Sequence, residues 1–276
     1  MKTKIAAVIL NYKKLDDTLS CLSALKQSDQ GGEVKYYVVD NSPIKETEKI
    51  FKKKYPEVTY IRSPKNLGFA GGNNLALRSI VKGDFTHVLI INPDVTVSKF
   101  FFTPLLKNFE NDRVGILAPA IAHTQKNIKM FSLQGKVNWK LAKPEHRNIR
   151  NLKSKKPINS QFVTFACVLI STDTLKKIGL LDEGYFMYFE DVDYCLSAKR
   201  AGIKVILDPS VIIAHETSSS FKHPSQKLLI NFKSHLRFIK KWLTPIKRIR
   251  PFIYIYLLYP YLYLLWTYHE IKYRQK

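Results

Sequence analysis

Acidic residues are in short supply in this chain: 22 Asp and Glu stand against 45 Lys and Arg, leaving a formal net charge of +23 over 276 residues. An excess of that size implies an anionic partner, whether nucleic acid, an acidic membrane face or a phosphorylated substrate. The shortage is uneven. Between residues 126 and 156 the one acid is Glu145, and between 217 and 250 nine Lys and Arg meet no acid at all, while the N-terminal part is nearer balance. Cysteine is sparse too. Cys21, Cys167 and Cys195 are an odd set of three without metal-ligand spacing, which argues against a disulfide framework or a zinc site and fits a reducing, cytoplasmic setting. The apolar run at residues 5–10 is too short for a signal segment and lacks a cleavage site, so a first strand is expected there. No stretch carries the Gly-Lys-Ser/Thr ending of a P-loop or the spacing of a dinucleotide fingerprint, so ATPase and dehydrogenase readings lose ground. A nucleotidyltransferase that makes sugar nucleotides would carry a basic Gly-rich loop near the N-terminus, and none is present.

What is present is a core: 45% of residues are hydrophobic, enough for one large α/β domain or two small ones. Residues 5–12 and 34–42 are apolar runs ending in polar groups, the pattern of strands buried on both faces of a parallel sheet. Residues 16–26 follow the first with helical periodicity, and 46–55 follow the second. Residues 58–62, 70–81 and 87–95 repeat strand, helix and strand. The alternation predicts an α/β fold with an open, mostly parallel sheet and helices on both faces. Ligands bind beyond the carboxyl ends of such strands, so Asn11 and Tyr12, Asp40 to Ser42, and Asn92 to Asp94 are expected to line one crevice. Residues 162–171 read as a core strand, and 211–215 as a strand ending in His215, followed by the polar run 216–220.

Each polar cluster allows two readings. Asp40-Asn41-Ser42-Pro43 is either a turn or a carboxylate placed to hydrogen-bond a nucleobase or ribose. The glycines of residues 66–74 either loosen a loop or let N–H groups at a helix start approach a phosphate. Asp94 either belongs to a turn or ligates a divalent cation that bridges two phosphates. The densest acidic group is Glu190, Asp191 and Asp193, at the start of a predicted helix that Lys199, Arg200 and Gly202 close. These acids either complement the helix dipole or, beside the aromatic run Tyr185, Phe186, Tyr188 and Phe189, have shifted pKa values and accept a proton from an incoming hydroxyl.

In this order and spacing, VILNY (8–12), VVDNS (38–42), NLGFAGGNN (66–74), NPDV (92–95) and DEGYFMYFEDVDYCLSAKRAG (182–202) resemble the family 2 glycosyltransferases with the GT-A, Rossmann-like fold, in particular the rhamnosyltransferase-like branch. The likeness covers about residues 5–220. It implies a metal-dependent, inverting transfer of a sugar from a nucleoside diphosphate donor, with dTDP-rhamnose foremost and UDP-hexoses or UDP-galactofuranose left open. By that resemblance Asp40 holds the nucleotide base, with Asn11, Tyr12 and Asn41 beside it, and Asn66, Gly68, Phe69, Gly71 and Asn73 lie along the nucleotide. Asp94 binds Mn2+ or Mg2+ through the diphosphate, His215 completes the metal site, and Asp191 is the catalytic base. Glu190 and Asp193 orient the acceptor, the base or the helix, and Asp182 and Glu183 touch the acceptor. Asn92 stands where the first carboxylate of the usual Asp-x-Asp metal motif would be, which leaves one firm carboxylate ligand.

The expected organisation is a catalytic domain over residues 1–220, with a nucleotide half at about 1–118 and an acceptor half at about 119–220, followed by a basic, aromatic helical extension over 221–276. Residues 251–268 carry no charge and approach the ~17–25 needed to span a bilayer. Their composition is that of the membrane–water interface: Tyr254, Tyr256, Tyr259, Tyr261, Tyr263, Trp266 and Tyr268, interrupted by Pro260. Lys240, Lys241, Lys247, Arg248 and Arg250 precede them and are attracted to anionic lipid. The expectation is a peripheral anchor on the cytoplasmic face of the membrane, suited to a polyprenyl-diphosphate-linked acceptor; packing onto the protein's own core is the alternative. Nucleic-acid binding would explain the charge but not apolar parallel strands ending in carboxylates, so no nucleic-acid partner is expected. A scaffold with a degenerate transferase domain would keep the fold and the tail without turnover.

Overall fold

The computed structural model describes residues 3–43, 47–110, 113–125, 128–215 and 224–274; the polar run 216–220 and the expected domain boundary at 220 lie outside them. The first apolar run forms β1 (Lys4–Asn11), and the alternation continues as α1 (Leu15–Gln27), β2 (Glu33–Asp40), α2 (Thr47–Lys54), β3 (Thr59–Arg62), α3 (Gly68–Ile80) and β4 (His87–Ile91). These strands pair in parallel, with Asn11 opposite Asp40, Asp40 opposite Arg62 and Ile9 opposite Ile91. Their polar carboxyl ends therefore share one edge.

The strand expected to reach Val95 stops at Ile91, because Asn92 to Asp94 form a turn in which the Asn92 carbonyl accepts from Val95 N–H at 3.3 Å. The short β5 (Val95–Thr96), α4 (Phe102–Leu106) and a 3-10 turn at Lys107–Glu110 lead to β6 (Val114–Gln125), β7 (Ile128–Asn138), β8 (Lys143–Ile149) and β9 (Ile158–Asn159). Then come β10 (Cys167–Ser171), α5 (Thr172–Ile178), α6 (Glu190–Arg200), β11 (Lys204–His215), α7 (Pro224–Trp242) and α8 (Pro245–Arg274). The main sheet runs β3-β2-β1-β4-β10-β6-β11-β5. β3, β2, β1, β4, β6 and β11 all point one way, while β10 lies antiparallel between β4 and β6. β6 crosses residue 118, so one sheet joins the two expected halves.

Alternation along β1 and β2 divides the core. Ala6, Val8, Tyr37 and Val39 face α3, α6 and α7, and Ile5, Ala7, Ile9, Tyr36 and Val38 face α1, α2 and α4. Both faces are covered, which is why these strands are continuously apolar, and each fully buried Val, Leu or Ile contributes about 1.5–3 kcal/mol. Cys21, Cys167 and Cys195 are free thiols inside these cores.

The strand expected over 162–171 begins only at Cys167; Phe162 to Ala166 instead cross the strand ends, where the Ala166 carbonyl accepts from Asn92 N–H at 2.8 Å. The basic stretch after residue 126 contains the antiparallel hairpin β7–β8. Trp139 at its tip stacks on Phe238 of α7 at 6.1 Å. In the C-terminal extension, α7 buries Ser234, His235, Phe238 and Ile239 against the domain, and α8 packs on α7 through Ile255 and Tyr259, whose ring meets Phe232 at 5.4 Å. Pro260 does not break the chain's path: α8 remains helical through Pro251 and Pro260. Among the described residues no helix is long and apolar enough to cross a membrane.

Candidate active site

The carboxyl ends of β1, β2 and β4, the end of β11, residues 164–166 and the start of α6 surround a cleft of about 980 Å³. Asp94 and His215 meet in it. They lie 121 positions apart, yet β5 pairs with β11 so that Val95 is opposite His215, and Asp94 Oδ1 stands 3.1 Å from His215 Nε2. The other carboxylate oxygen, Oδ2, accepts from Lys14 Nζ at 3.3 Å. Asn11 prepares this contact: its Oδ1 accepts from Lys14 N–H and from the Thr18 hydroxyl, both at 3.1 Å, and fixes the start of α1.

Asp191 lines the same cleft. Two bulky residues before it, Tyr188 and Phe189, have φ of 69° and 70°, a left-handed conformation that non-glycine residues avoid and that persists where the surroundings enforce it. Here the enforcement is visible: Phe189 is clamped against His235 at 4.8 Å and Phe238 at 5.3 Å. The turn ends with Glu190 and Asp191 at the N-terminus of α6. Burial pushes the Asp191 carboxyl up to about 6, against the opposing effect of N–H groups such as that of Val192, which donates to Oδ1 at 2.8 Å. Glu190 is only 7% exposed, and one of its carboxyl oxygens has no hydrogen-bond partner. Burial, then the neighbouring Asp191, raises its pKa well above the usual range.

Of the residues singled out from sequence, Tyr12, Asn41, Asn66, Gly68, Phe69, Asp94, Glu190, Asp191 and His215 line the cleft. Others are placed differently. Asp40 is fully covered and does not line the cleft: its carboxylate accepts from Asn11 Nδ2 at 2.9 Å, Ser42 N–H at 2.9 Å and the Tyr60 hydroxyl at 2.6 Å. Asn11 lies buried beneath it for the same reason. The helix start at residues 66–74 is not an open phosphate cradle, because Gly68 N–H donates to Asn66 Oδ1 at 2.9 Å and Phe69 N–H to the Phe186 carbonyl at 2.7 Å. Gly68 is required there: its φ is 71°, and a Cβ would meet the Phe186 carbonyl at 2.0 Å. Gly71 packs on Leu67, and Asn73 Nδ2 donates to the Phe69 carbonyl at 3.0 Å, both behind the cleft wall.

The remaining acids hold helices. Asp193 is 3% exposed and accepts from Trp242 Nε1 at 2.7 Å, Lys241 Nζ at 2.7 Å and the Tyr185 hydroxyl at 3.3 Å. Asp182 accepts from Arg237 at 2.7 Å and Lys241 at 3.0 Å, and Glu183 accepts from Asn74 at 2.8 Å and pairs with Arg78. None of the three reaches the cleft. Sequence reasoning missed Lys14, residues 164–166, Lys143 and the outer wall made by Ile230, Tyr254, Leu258 and Leu262 of α7 and α8. Only amphipathic spacing in α7 could have pointed to that wall; one lysine among so many basic residues carries no signal.

Among the described residues no three His, Cys, Asp or Glu side chains gather as a metal cluster. Asp94 and His215 do offer one oxygen and one nitrogen, which fits a divalent ion that takes its other ligands from phosphate oxygens and water.

The model of the family described as Glycosyltransferase like family 2 matches residues 3–231. The chain is 27% identical over 212 residues to the low-salt glycan biosynthesis hexosyltransferase Agl10 of Haloferax volcanii, covering 74% of this chain and 64% of that one, so it spans just under two thirds of that relative's length. It is 25% identical over 246 residues to the N-acetylglucosaminyl-diphospho-decaprenol L-rhamnosyltransferase of Mycobacterium tuberculosis, covering 78% of each. Among solved structures, GalNAc-T7 with UDP, GalNAc and Mn2+ superposes with a TM-score of 0.72 at 13% identity, over 89% of this chain and 49% of that one. The architecture is the GT-A type that the motifs resemble.

Proposed function

Because the chain belongs to glycosyltransferase family 2, in its rhamnosyltransferase-like branch, we propose that it transfers a sugar, with rhamnose from dTDP-rhamnose foremost, from a nucleoside diphosphate to a lipid-linked or polysaccharide acceptor in surface-glycan synthesis. The observation that carries this reading is that one cleft holds both the Asp94–His215 pair and the elevated Asp191. The pair suits a diphosphate; Asp191 suits an acceptor hydroxyl.

The reaction is an inverting displacement. The acceptor oxygen attacks the anomeric carbon from the face opposite the nucleotide, its proton passes to Asp191, and the bond from the anomeric carbon to the diphosphate oxygen breaks. With a pKa of about 6 Asp191 is ionised at neutral pH yet basic enough to share the proton. Asp94 and His215 would hold the Mn2+ or Mg2+, which supplies positive charge to the departing diphosphate. Tyr12, Asn41 and Asn66 wall the nucleotide end.

The acceptor end is walled by Ile230, Tyr254, Leu258 and Leu262, with Lys143 and Lys227 at its rim. Apolar walls with cations beside them favour a polyprenyl diphosphate, the chemistry named for the mycobacterial relative. The exposed apolar and basic face of α8 favours peripheral attachment at the cytoplasmic membrane surface.

Thermal unfolding with UDP, dTDP and GDP, each with and without Mn2+, tests the donor reading. One nucleotide should stabilise selectively, by about 2.7 kcal/mol at ~100 times its Kd, and Asp94→Ala should remove the metal-dependent part. No stabilisation by any of them would overturn the reading in favour of a membrane-peripheral scaffold.

A further inference from the structure

We infer that Lys14 is a tethered cation for the donor diphosphate, sharing the charge neutralisation with the divalent ion so that nucleotide binding survives removal of the metal. The inference rests on the donor reading above and deepens it.

Three observations carry it. The place of a first metal carboxylate is taken by Asn92, which brings no charge. The carboxylate that remains, Asp94, already has the Lys14 ammonium 3.3 Å from Oδ2 and the His215 imidazole 3.1 Å from Oδ1. And Lys14 is no stray surface lysine: its side chain is 18% exposed, it lines the cleft beside Asp94, and its backbone N–H is pinned by Asn11. Its other ion-pair partner is Asp17 Oδ2 at 3.3 Å, half exposed on the next turn.

The charge balance at the cleft floor is therefore unusual for a dedicated metal site. A divalent ion is attracted by one carboxylate whose charge an ammonium already offsets, so its hold on the free protein is weak. An incoming diphosphate meets the opposite situation. Its oxygens are stronger partners for an ammonium than a shared, partly exposed ion pair at 3.3 Å, because a charge-assisted hydrogen bond to phosphate forms at shorter range. Lys14 lines the same cleft as Asp94, so its ammonium passes from the carboxylate to a phosphate bound there. That move also lifts the ammonium's charge from Asp94, so the nucleotide and a divalent ion favour each other without each requiring the other.

The test is equilibrium binding, not turnover: titration of the selected nucleoside diphosphate (UDP, dTDP or GDP) and of its monophosphate into the wild type, Lys14→Met and Lys14→Arg, in EDTA and in Mn2+. The wild type in EDTA should bind the diphosphate within about tenfold of its affinity in Mn2+, Lys14→Met should lose a further tenfold or more in EDTA, and Mn2+ should bring it back to within a few-fold. Lys14→Arg should keep the chelator-resistant binding, and the monophosphate should be indifferent to Lys14 if the ammonium serves the distal phosphate. Diphosphate binding that requires Mn2+ in the wild type, or that is the same in Lys14→Met and wild type in EDTA, would overturn the inference while leaving the donor reading intact. No nucleotide binding under any condition would overturn both. Should Lys14→Met fail to fold, Lys14→Gln takes its place in the same titration, with the same outcomes deciding.

Discussion

At Asp191 burial and function pull in opposite directions, and pH separates them. Burial raises this carboxyl to about 6, so as a base it should lose activity as pH falls: kcat/KM is expected to rise through about pH 6 and level off above it. Stability moves the other way. Between the unfolded carboxyl's pKa and the raised folded value, the folded chain binds more protons than the unfolded chain, so this site's favourable contribution is complete at low pH and is lost as pH rises through the folded pKa. Asp191→Asn removes the penalty. It should stabilise the protein at pH 7 by on the order of 2 kcal/mol, show no such gain near pH 3.5 and reduce turnover at least ~100-fold. Urea unfolding at the two pH values and a transfer assay check this together; a variant less stable at pH 7 would show that Asp191 is a structural acid. Gly68→Ala is the contrasting case, because the positive φ and the Phe186 carbonyl leave no room for a methyl group. It should lose about 2–3 kcal/mol in the same unfolding experiment, and with it the alignment of residues 66–74 against the aromatic run.

At the scale of elements, α7 is fastened to α6 through a buried carboxylate. Asp193→Ala would leave the Trp242 indole N–H without its acceptor and Lys241 with Asp182 alone, at an expected loss of about 1–3 kcal/mol, and would loosen α7 so that limited proteolysis cuts near the α7–α8 junction at Leu243 and Thr244. Unchanged protease resistance would mean that the apolar contacts of Phe238 and Ile239 hold α7 alone. This pair of neighbouring acids also shows where sequence reading stops. Apolar runs with polar ends located β1, β2 and the apolar part of β4 because burial on both faces leaves a mark in every residue of a strand, whereas the turn at Asn92 to Asp94 leaves none. The acids heading α6 were legible as a group, since a helix start has its own signature in Glu190, Gly202 and the residues between. The residue pattern alone did not say which acid faces the cleft, because Asp191 and Asp193 differ only in what α7 and residues 164–166 bring to them from far along the chain; the motif resemblance singled out Asp191, which lines it. The same limit applies to Asp40, whose partners Asn11 and Tyr60 come from adjacent strands. The direction of β10 was hidden for a related reason: a buried central strand is apolar whichever way it runs.

For the whole molecule, the outer face of α8 poses the largest unmet demand for burial. Ile246, Ile249, Ile253, Leu257, Tyr261 and Leu264 recur at helical spacing and are exposed, on the side away from the Ile255 and Tyr259 contacts with α7. A contiguous apolar stripe of this kind on a protein surface marks an interaction site. Lys247 and Arg250 stand on the same helix, and the chain as a whole carries +23, so two like surfaces brought together would repel. An anionic bilayer satisfies both features at once: apolar side chains enter the headgroup boundary while each nearby cation adds about 1 kcal/mol. The protein should therefore co-sediment with phosphatidylglycerol vesicles far more than with phosphatidylcholine vesicles, and the difference should shrink as salt is raised towards ~0.5 M. Leu257→Glu, at a position 69% exposed and outside the α7 contacts, should leave the unfolding midpoint unchanged while weakening vesicle binding at least about tenfold. If vesicle binding is instead indifferent to this change and the wild type sediments as a dimer that Leu257→Glu dissociates, the stripe is covered by a second copy, and the acceptor must reach the cleft from the rim formed by Lys143 and Lys227.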